Sequence, residues 1–562
     1  MGDIKRLRRI IKLTALIVWA CVLSLIDVHP IAAAPSDPVA VEINRLLAVS
    51  PVMVRDVTLS SPFLLRAYQA RHDKPLWDGN VAPLLAVLSS AEEDGLPTDA
   101  LHLDSILTLH AETTPAARAA VDVLLTDAVI TYARMMRGQR VHPQDFEKDW
   151  RLPQRGFDLD GFWRSNSGSS EAMAAALRGL APTDPAYAKL RNQLVKIKAW
   201  AALPPPPQIP TGPTLHPGER DPRVVLLRQR LAQEPGLTAS AQGDDLFDEA
   251  VAEPLKLFQQ RHGLLEDGAL GMRTVAALNV TPAERVRQIR LTLERWRWLA
   301  PPPTSDYIWV NLPAQEFELH QAGQITLRMR VIIGDPEHPT PPLRSAIDML
   351  VLNPTWTVPS SIATKEILPR LQRRADYLAK NDLEIIGAGF APEAPERQGS
   401  NIDWKSMTSF PWSLRQKPGS DNALGAIKFS FPNQDDIYLH DTPNHKLFAR
   451  ASRALSHGCV RLDRPRDLAL TLLAPQGWTA ERLEKELAKG TTQDVSLSKT
   501  MPVWLVYFTV WEDDDGVLQW RDDVHGRDRR LLEALSAAAH PVTVAAMPAA
   551  PAGEIGAPVT AR

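Results

Sequence analysis

The chain is short of cysteine. It has two in 562 residues, and Cys21 lies in an apolar leader, so a processed form would keep Cys459 with no disulfide partner in its own chain. Surplus charge of one sign is missing as well. With 63 basic and 66 acidic side chains the formal net charge is −3, which offers no bulk attraction to nucleic acid. The uncharged run at residues 13–26 falls short of the roughly 20 apolar residues of a spanning helix but suits the core of an export signal. Lys5, Arg6, Arg8, Arg9 and Lys12 precede it, and Ala32, Ala33 and Ala34 follow. Residues 1–34 are therefore expected to be a signal peptide, cut after Ala33 because Pro35 hinders a cut one residue later. Left uncut, the same segment would be an inner-membrane anchor.

What is present is ordinary globular material, 44% hydrophobic and 23% charged, in a length that suits about three domains. Residues 38–203 read as a helical scaffold. Leu84, Leu85, Val87, Leu88 and Ala91 recur at helical spacing ahead of Gly95, and Thr114-Pro115 reads as the cap and first residue of a long helix ending near Gly138. His72, His102, His110 and His142 are scattered singly. The proline-rich residues 204–218 mark a stiff linker. Residues 219–280 hold three short apolar helical segments, and residues 281–304 a connecting helix that buries Ile289, Leu291, Leu293 and Trp296. Pro254 falls inside the second of the three segments, where it is expected to shift the helix start or kink it.

From residue 305 to 540 the hydrophobic period changes to two, over 307–311, 316–320, 325–333 and 350–352, which predicts a mainly β domain. Between Pro359 and Trp412 the strands are expected to stop. A helix over 365–380 and a loop rich in Gly, Ala and Pro make residues 360–412 a candidate lid. A helix over 463–473 would present its positive end to a thiol just ahead of it and lower that thiol's pKa. The tail, 541–562, is expected to be disordered. The fold class is multidomain α+β: a helical scaffold, a small three-helix module, and a mainly β domain with a helical lid insertion.

The stretch 437–467 carries the chemistry. Most free cysteines are inert buried hydrophobes, but Ser456-His457-Gly458-Cys459 is short, polar and flexible. Gly458 permits a tight turn that would aim backbone N–H groups at a carbonyl oxygen bound beside the sulfur. An activated thiolate needs a base, often distant in sequence. His440 stands at the end of an apolar-alternating run, where it would project from a strand end. A metal site of His440, His445, His457 and Cys459 is the alternative, but the spacings match no common zinc pattern.

These residues carry a resemblance. His440-Asp441-Thr442-Pro443, then Ser456-His457-Gly458-Cys459-Val460-Arg461-Leu462, resembles the signature of the L,D-transpeptidase (YkuD-type) catalytic domain of bacterial cell-wall enzymes. The likeness is greatest to large, multidomain YcbB-like members. Residues 294–298, 353–359 and 418–425, the last containing Asn422, are similar to that subgroup's motifs. Residues 257–264, with Asp267-Gly268 and Leu278-Asn279, resemble the small peptidoglycan-binding module.

The resemblance implies Cys459 as nucleophile and His440 as base, with the Asp441 main-chain carbonyl orienting the imidazole. Gly458 and Cys459 N–H groups, with the Tyr438 hydroxyl, would stabilise the oxyanion. His457 would tune or support the turn. Arg461 would bind a substrate carboxylate or serve as a structural ion pair, and Ser456 and Asn422 are further substrate-binding candidates. The implied reaction is 3–3 cross-linking of peptidoglycan stem peptides through a cysteine thioester with loss of D-alanine, in the periplasm, without metal or cofactor. Carbapenem-type inhibitors would acylate Cys459. Water as acceptor would make the enzyme an L,D-carboxypeptidase. A wall-binding protein with a vestigial β domain is the non-catalytic alternative.

Overall fold

The computed structural model describes residues 37–539 except 60, 72, 73, 78, 301, 303–305, 387–398, 400 and 401. The leader, the tail, His72 and most of the lid's Gly-, Ala- and Pro-rich loop lie outside the described residues. The fold is multidomain α+β, with helices first and a mainly β domain after them.

In the scaffold, α1 (Pro115–Met136) is capped by Thr114, whose hydroxyl accepts from the Ala117 N–H at 3.2 Å. It is buried on nearly every side because other helices surround it. In the small module, α2 (Arg223–Ala232), α3 (Glu249–Arg261) and α4 (Met272–Leu278) pack around Leu227, Leu255, Phe258 and Val275. α3 runs through Pro254 as one helix from Glu249 to Arg261. The proline sits in the second turn, where only one intrahelical bond is lost, and its ring is buried in the module's core.

The connecting helix α5 (Pro282–Trp298) begins with a capping box between Thr281 and Glu284. Ile289, Leu291 and Leu293 are buried as expected, whereas Trp296 is half-buried and stacks on Phe508 at 4.6 Å. Glu294, Arg295, Arg297 and Trp298 are almost fully buried, so α5 runs through the middle of the molecule.

The β domain is built on β1 (Tyr307–Asn311), β2 (Glu316–Gln321), β3 (Gln324–Gly334) and β4 (Leu343–Leu352). A small side sheet follows, of β5 (Trp356–Val358), β6 (Leu383–Ile386) and β7 (Ser413–Gln416). Then come β8 (Ile427–Ser430), β9 (Leu439–His440), β10 (Ala454–Ser456), β11 (Val460–Leu462), helix α6 (Pro465–Leu473) and β12 (Gln493–Val506). The main sheet runs β10-β3-β11-β9-β8-β4-β12-β1-β2, and β2 also pairs with β3, so eight of its nine strands close on themselves. Its inner face is apolar, with Val310, Phe317, Leu350, Phe429, Leu439 and Val460 all fully buried.

The lid departs from expectation in part. One short strand, β6, lies between Pro359 and Trp412, and it pairs with β7 just beyond Trp412. The helix expected over 365–380 is largely present: one run spans residues 360–373, with a π turn at Ala363–Ile367, and after an interruption at 374–376 a short helix covers Tyr377–Lys380. The interruption begins at Arg374, whose backbone is extended.

Candidate active site

Three adjacent strands of the closed sheet bring the site together. β9 and β11 run parallel, with His440 opposite Arg461, and β8 runs antiparallel to β9, with Lys428 opposite His440. Paired residues share a face and neighbours along a strand alternate. Leu439 and Val460 therefore point inward, while Tyr438, His440, Cys459, Arg461 and Lys428 share the outer face.

His440 is 4% exposed, and its Nδ1 lies 2.6 Å from the Asp441 carbonyl oxygen. That bond puts the proton on Nδ1 and leaves Nε2 as the basic nitrogen. Burial, then Arg461, pull the imidazole pKa down to about 3, so the ring is neutral. The Asp441 carboxylate does separate work, accepting from Ala426 N at 2.8 Å and Thr442 N at 2.7 Å. Gly425 must be glycine for this: its φ is +61° and a Cβ would lie 2.5 Å from Asp441 Cβ.

The Cys459 thiol is half-buried and faces the Asp436 carbonyl at 3.7 Å. The expected lowering of its pKa does not occur; burial pushes it up, against hydrogen bonding from Tyr438 and the charges of Lys428 and Arg461. The helix expected to help is α6, but Leu468, Ala469, Leu472 and Leu473 pack into the inner core. Its dipole thus serves the opposite side of the sheet from the outward-facing residues.

The turn is held by bonds that alter three expected roles. Gly458, at φ +111°, donates its N–H to Ser456 Oγ at 3.2 Å, so that N–H is not a free oxyanion donor. Cys459 N–H and the Tyr438 hydroxyl remain. Ser456 is 2% exposed and also donates to the Cys459 carbonyl at 2.6 Å, which makes it a tie within the turn and not a substrate contact. Asn422 is 1% exposed, donating to Pro354 O and Lys417 O while accepting from Leu424 N. All of its capacity goes into closing the loop at 417–425.

His457 faces away from the thiol. Its Nε2 is 2.8 Å from Glu366 Oε1 on the lid's π turn, and its ring lies 4.5 Å from His338. Arg461 forms no ion pair among the described residues, and its buried Nε has no hydrogen-bond partner, which leaves the guanidinium free for a substrate carboxylate. The histidines of the metal alternative are drawn apart: His445 pairs with the Asp441 carboxylate at 3.4 Å and His457 with Glu366. Among the described residues no group of three His, Cys, Asp or Glu side chains is placed to hold a metal.

Sequence reasoning missed Lys428, Thr340 and Trp356. Thr340 donates to the Gly458 carbonyl at 2.7 Å and accepts from Gly334 N at 2.8 Å, fixing the turn from beneath. Trp356 lies beside Tyr438 and opposes the rise that burial imposes on the phenol's pKa. A signal for Lys428 was available: a charged residue between Ile427 and Phe429 must lie on the solvent face of that strand.

With this geometry in view, the comparisons are specific. Residues 305–492 match the family model described as "L,D-transpeptidase catalytic domain". That stretch contains Lys428, Tyr438, His440, Cys459 and Arg461. Residues 63–194 match a "Scaffold domain" and residues 220–278 a "Putative peptidoglycan binding domain". A protein of Haemophilus influenzae named "Putative L,D-transpeptidase" is 34% identical over 248 residues, which is 43% of this chain and 48% of that protein. The chain thus spans about half the length of this curated relative. Two solved L,D-transpeptidase structures are also similar. That from Xylanimonas cellulosilytica is 16% identical, covers 53% of this chain and 99% of its own, and has a TM-score of 0.18. That from Stackebrandtia nassauensis is 13% identical, covers 53% and 96%, and has a TM-score of 0.21. Superpositions this loose have no bearing on the geometry of the transpeptidase site.

Proposed function

We propose that the protein is a peptidoglycan L,D-transpeptidase of the periplasm that forms 3–3 cross-links between stem peptides, with the small helical module holding it to the wall. The observation that carries the reading is the outer-face constellation itself: a single thiol, a neutral buried imidazole oriented by the Asp441 carbonyl, and the Tyr438 hydroxyl at the sulfur.

The donor carbonyl at the L-centre of the third, diamino-acid residue is placed between Cys459 Sγ and the donors Cys459 N–H and Tyr438 O–H. At rest both partners are neutral, since burial raises the thiol pKa and holds His440 unprotonated. His440 takes the thiol proton as the C–S bond forms, and the negative charge passes to the carbonyl oxygen. The same imidazolium then protonates the leaving D-alanine nitrogen as the C–N bond breaks, leaving a thioester. Arg461 holds a carboxylate that stays with the acyl group. An amine of a neighbouring stem resolves the thioester, giving its proton to His440. Carbapenem-type β-lactams present a strained carbonyl to the same groups and are expected to acylate Cys459.

The test is mass spectrometry of muropeptides after incubation of purified protein with tetrapeptide-rich peptidoglycan. The expected products are 3–3 dimers and free D-alanine, both lost in Cys459→Ser. Tripeptides without dimers would make water the acceptor and the enzyme a carboxypeptidase. No change in the muropeptides, or dimers persisting in Cys459→Ser, would overturn the reading.

A further inference from the structure

We propose that the Lys428 ammonium binds the C-terminal carboxylate of the residue expelled from the donor stem, and so reads where that stem ends. The inference rests on the acyl-transfer reading above and adds to it a specificity residue.

Lys428 is half-buried, yet forms no ion pair or hydrogen bond among the described residues. Its Nζ lies 4.1 Å from the centre of the Tyr438 ring. Burial draws the ammonium below its ordinary pKa, and the charges that oppose this are Cys459, Asp436 and Asp494, none in ion-pair contact. A lysine head group taken partly out of water normally has a partner. One that meets only a ring face, beside a reacting thiol, keeps its charge available to an anion.

Strand order says which anion. Across the outer face the sequence is Cys459 and Arg461 on β11, Tyr438 and His440 on β9, and Lys428 on β8. The scissile carbonyl must sit at Cys459, and the leaving nitrogen must face His440 to receive its proton. The leaving residue then projects in the direction of β8, one strand step of about 4.8 Å onward. In an α-amino acid the carboxylate oxygens lie roughly 3.5 Å from that nitrogen, which brings them to Lys428. Arg461 stands on the other side of His440, beside the part of the donor that remains as thioester. Two free cations on opposite sides of the base thus sort two carboxylates, one that departs and one that stays. A stem one residue longer would carry its carboxylate past Lys428.

The test compares a soluble stem tetrapeptide with its C-terminal amide and with the corresponding pentapeptide, measured as kcat/KM for thioester formation. Loss of one charge-assisted contact corresponds to about 30-fold. The wild type should prefer the free acid over the amide by about 30-fold. Lys428→Met should lower the free acid to the amide's level, chiefly through KM, with a far smaller loss on the amide from the charge removed near the thiol. Lys428→Arg should keep most of the preference and shows that the position tolerates a change of side chain. An equal loss on acid and amide in Lys428→Met would assign the charge to the thiolate and overturn the proposal, as would an undiminished acid preference. A wild type that forms thioesters on acid and amide alike refutes only this inference. A wild type that forms none on any donor refutes the transpeptidase reading beneath it.

Discussion

At the scale of the residue, the nucleophile is a thiol waiting for its substrate and not a standing thiolate. The sulfur is held above its ordinary pKa by burial, and His440 is held near 3, so transfer of the proton at rest would put two charges where desolvation opposes both. Alkylation measures this directly, because iodoacetamide reacts with the thiolate. The rate of Cys459 modification, followed by intact mass, should be low at pH 7 and climb about tenfold per pH unit up to pH 9. A preformed thiolate–imidazolium pair would instead give a fast rate that is flat from pH 5 to 8, and such a profile would refute the neutral resting state.

At the scale of the element, much of the site was legible because a strand announces its two faces. The alternation around Leu439 puts Tyr438 with His440, and that around Val460 puts Cys459 with Arg461, while the pairing of the two strands brings the four together. What alternation cannot reveal is which face a following helix covers. The expectation that α6 would activate the thiol therefore failed, since its apolar stripe belongs to the inner core. Nor does residue type reveal whether a polar group is already engaged. Ser456 and Asn422 look like substrate contacts in the sequence and are spent on their own loops. In the lid, the four-residue strand β6 was hidden because a run that short is no longer than many loop segments, and only its pairing with β7 marks it.

The lid nevertheless meets the catalytic turn at one defined place, the pair between Glu366 and His457. Both side chains are about one third exposed, so the contact is worth roughly 0.2–1 kcal/mol. Glu366→Gln should therefore leave the thermal midpoint of the β domain nearly unchanged. Hydrogen exchange over residues 363–373 should quicken by up to about fivefold, and the difference from wild type should shrink in high salt. Unchanged exchange in that segment would mean that the pair does not hold the lid.

At the scale of the whole molecule, the question is what ties the helical scaffold to the catalytic turn, and the contacts form a continuous chain. Glu147 of the scaffold is 3% exposed and pairs with Arg527, itself 1% exposed, and with Arg530 at 3.0 Å. Arg527 also holds Asp149 and reaches the Thr340 carbonyl at 3.5 Å. Thr340 in turn donates to the Gly458 carbonyl beside the nucleophile. An ion pair buried this deeply adds little stability over an apolar substitute, but removing one partner costs about 3–5 kcal/mol where it strands the other charge, and less here because Asp149 still meets Arg527. Glu147→Gln should accordingly lower the thermal midpoint by a few degrees, whereas the same change at the exposed Glu484 should shift it little. The Thr340 link makes a second expectation separable from the first. At a temperature where Glu147→Gln is still fully folded, acylation of Cys459 should be slower than in wild type, because the turn that presents the sulfur has lost part of its support. Thr340→Val, which removes only the last bond of the chain, should reproduce the slower acylation with a smaller loss of stability. If Glu147→Gln destabilised the protein while folded-state acylation stayed at the wild-type rate, the scaffold would be a dock for the catalytic domain and nothing more.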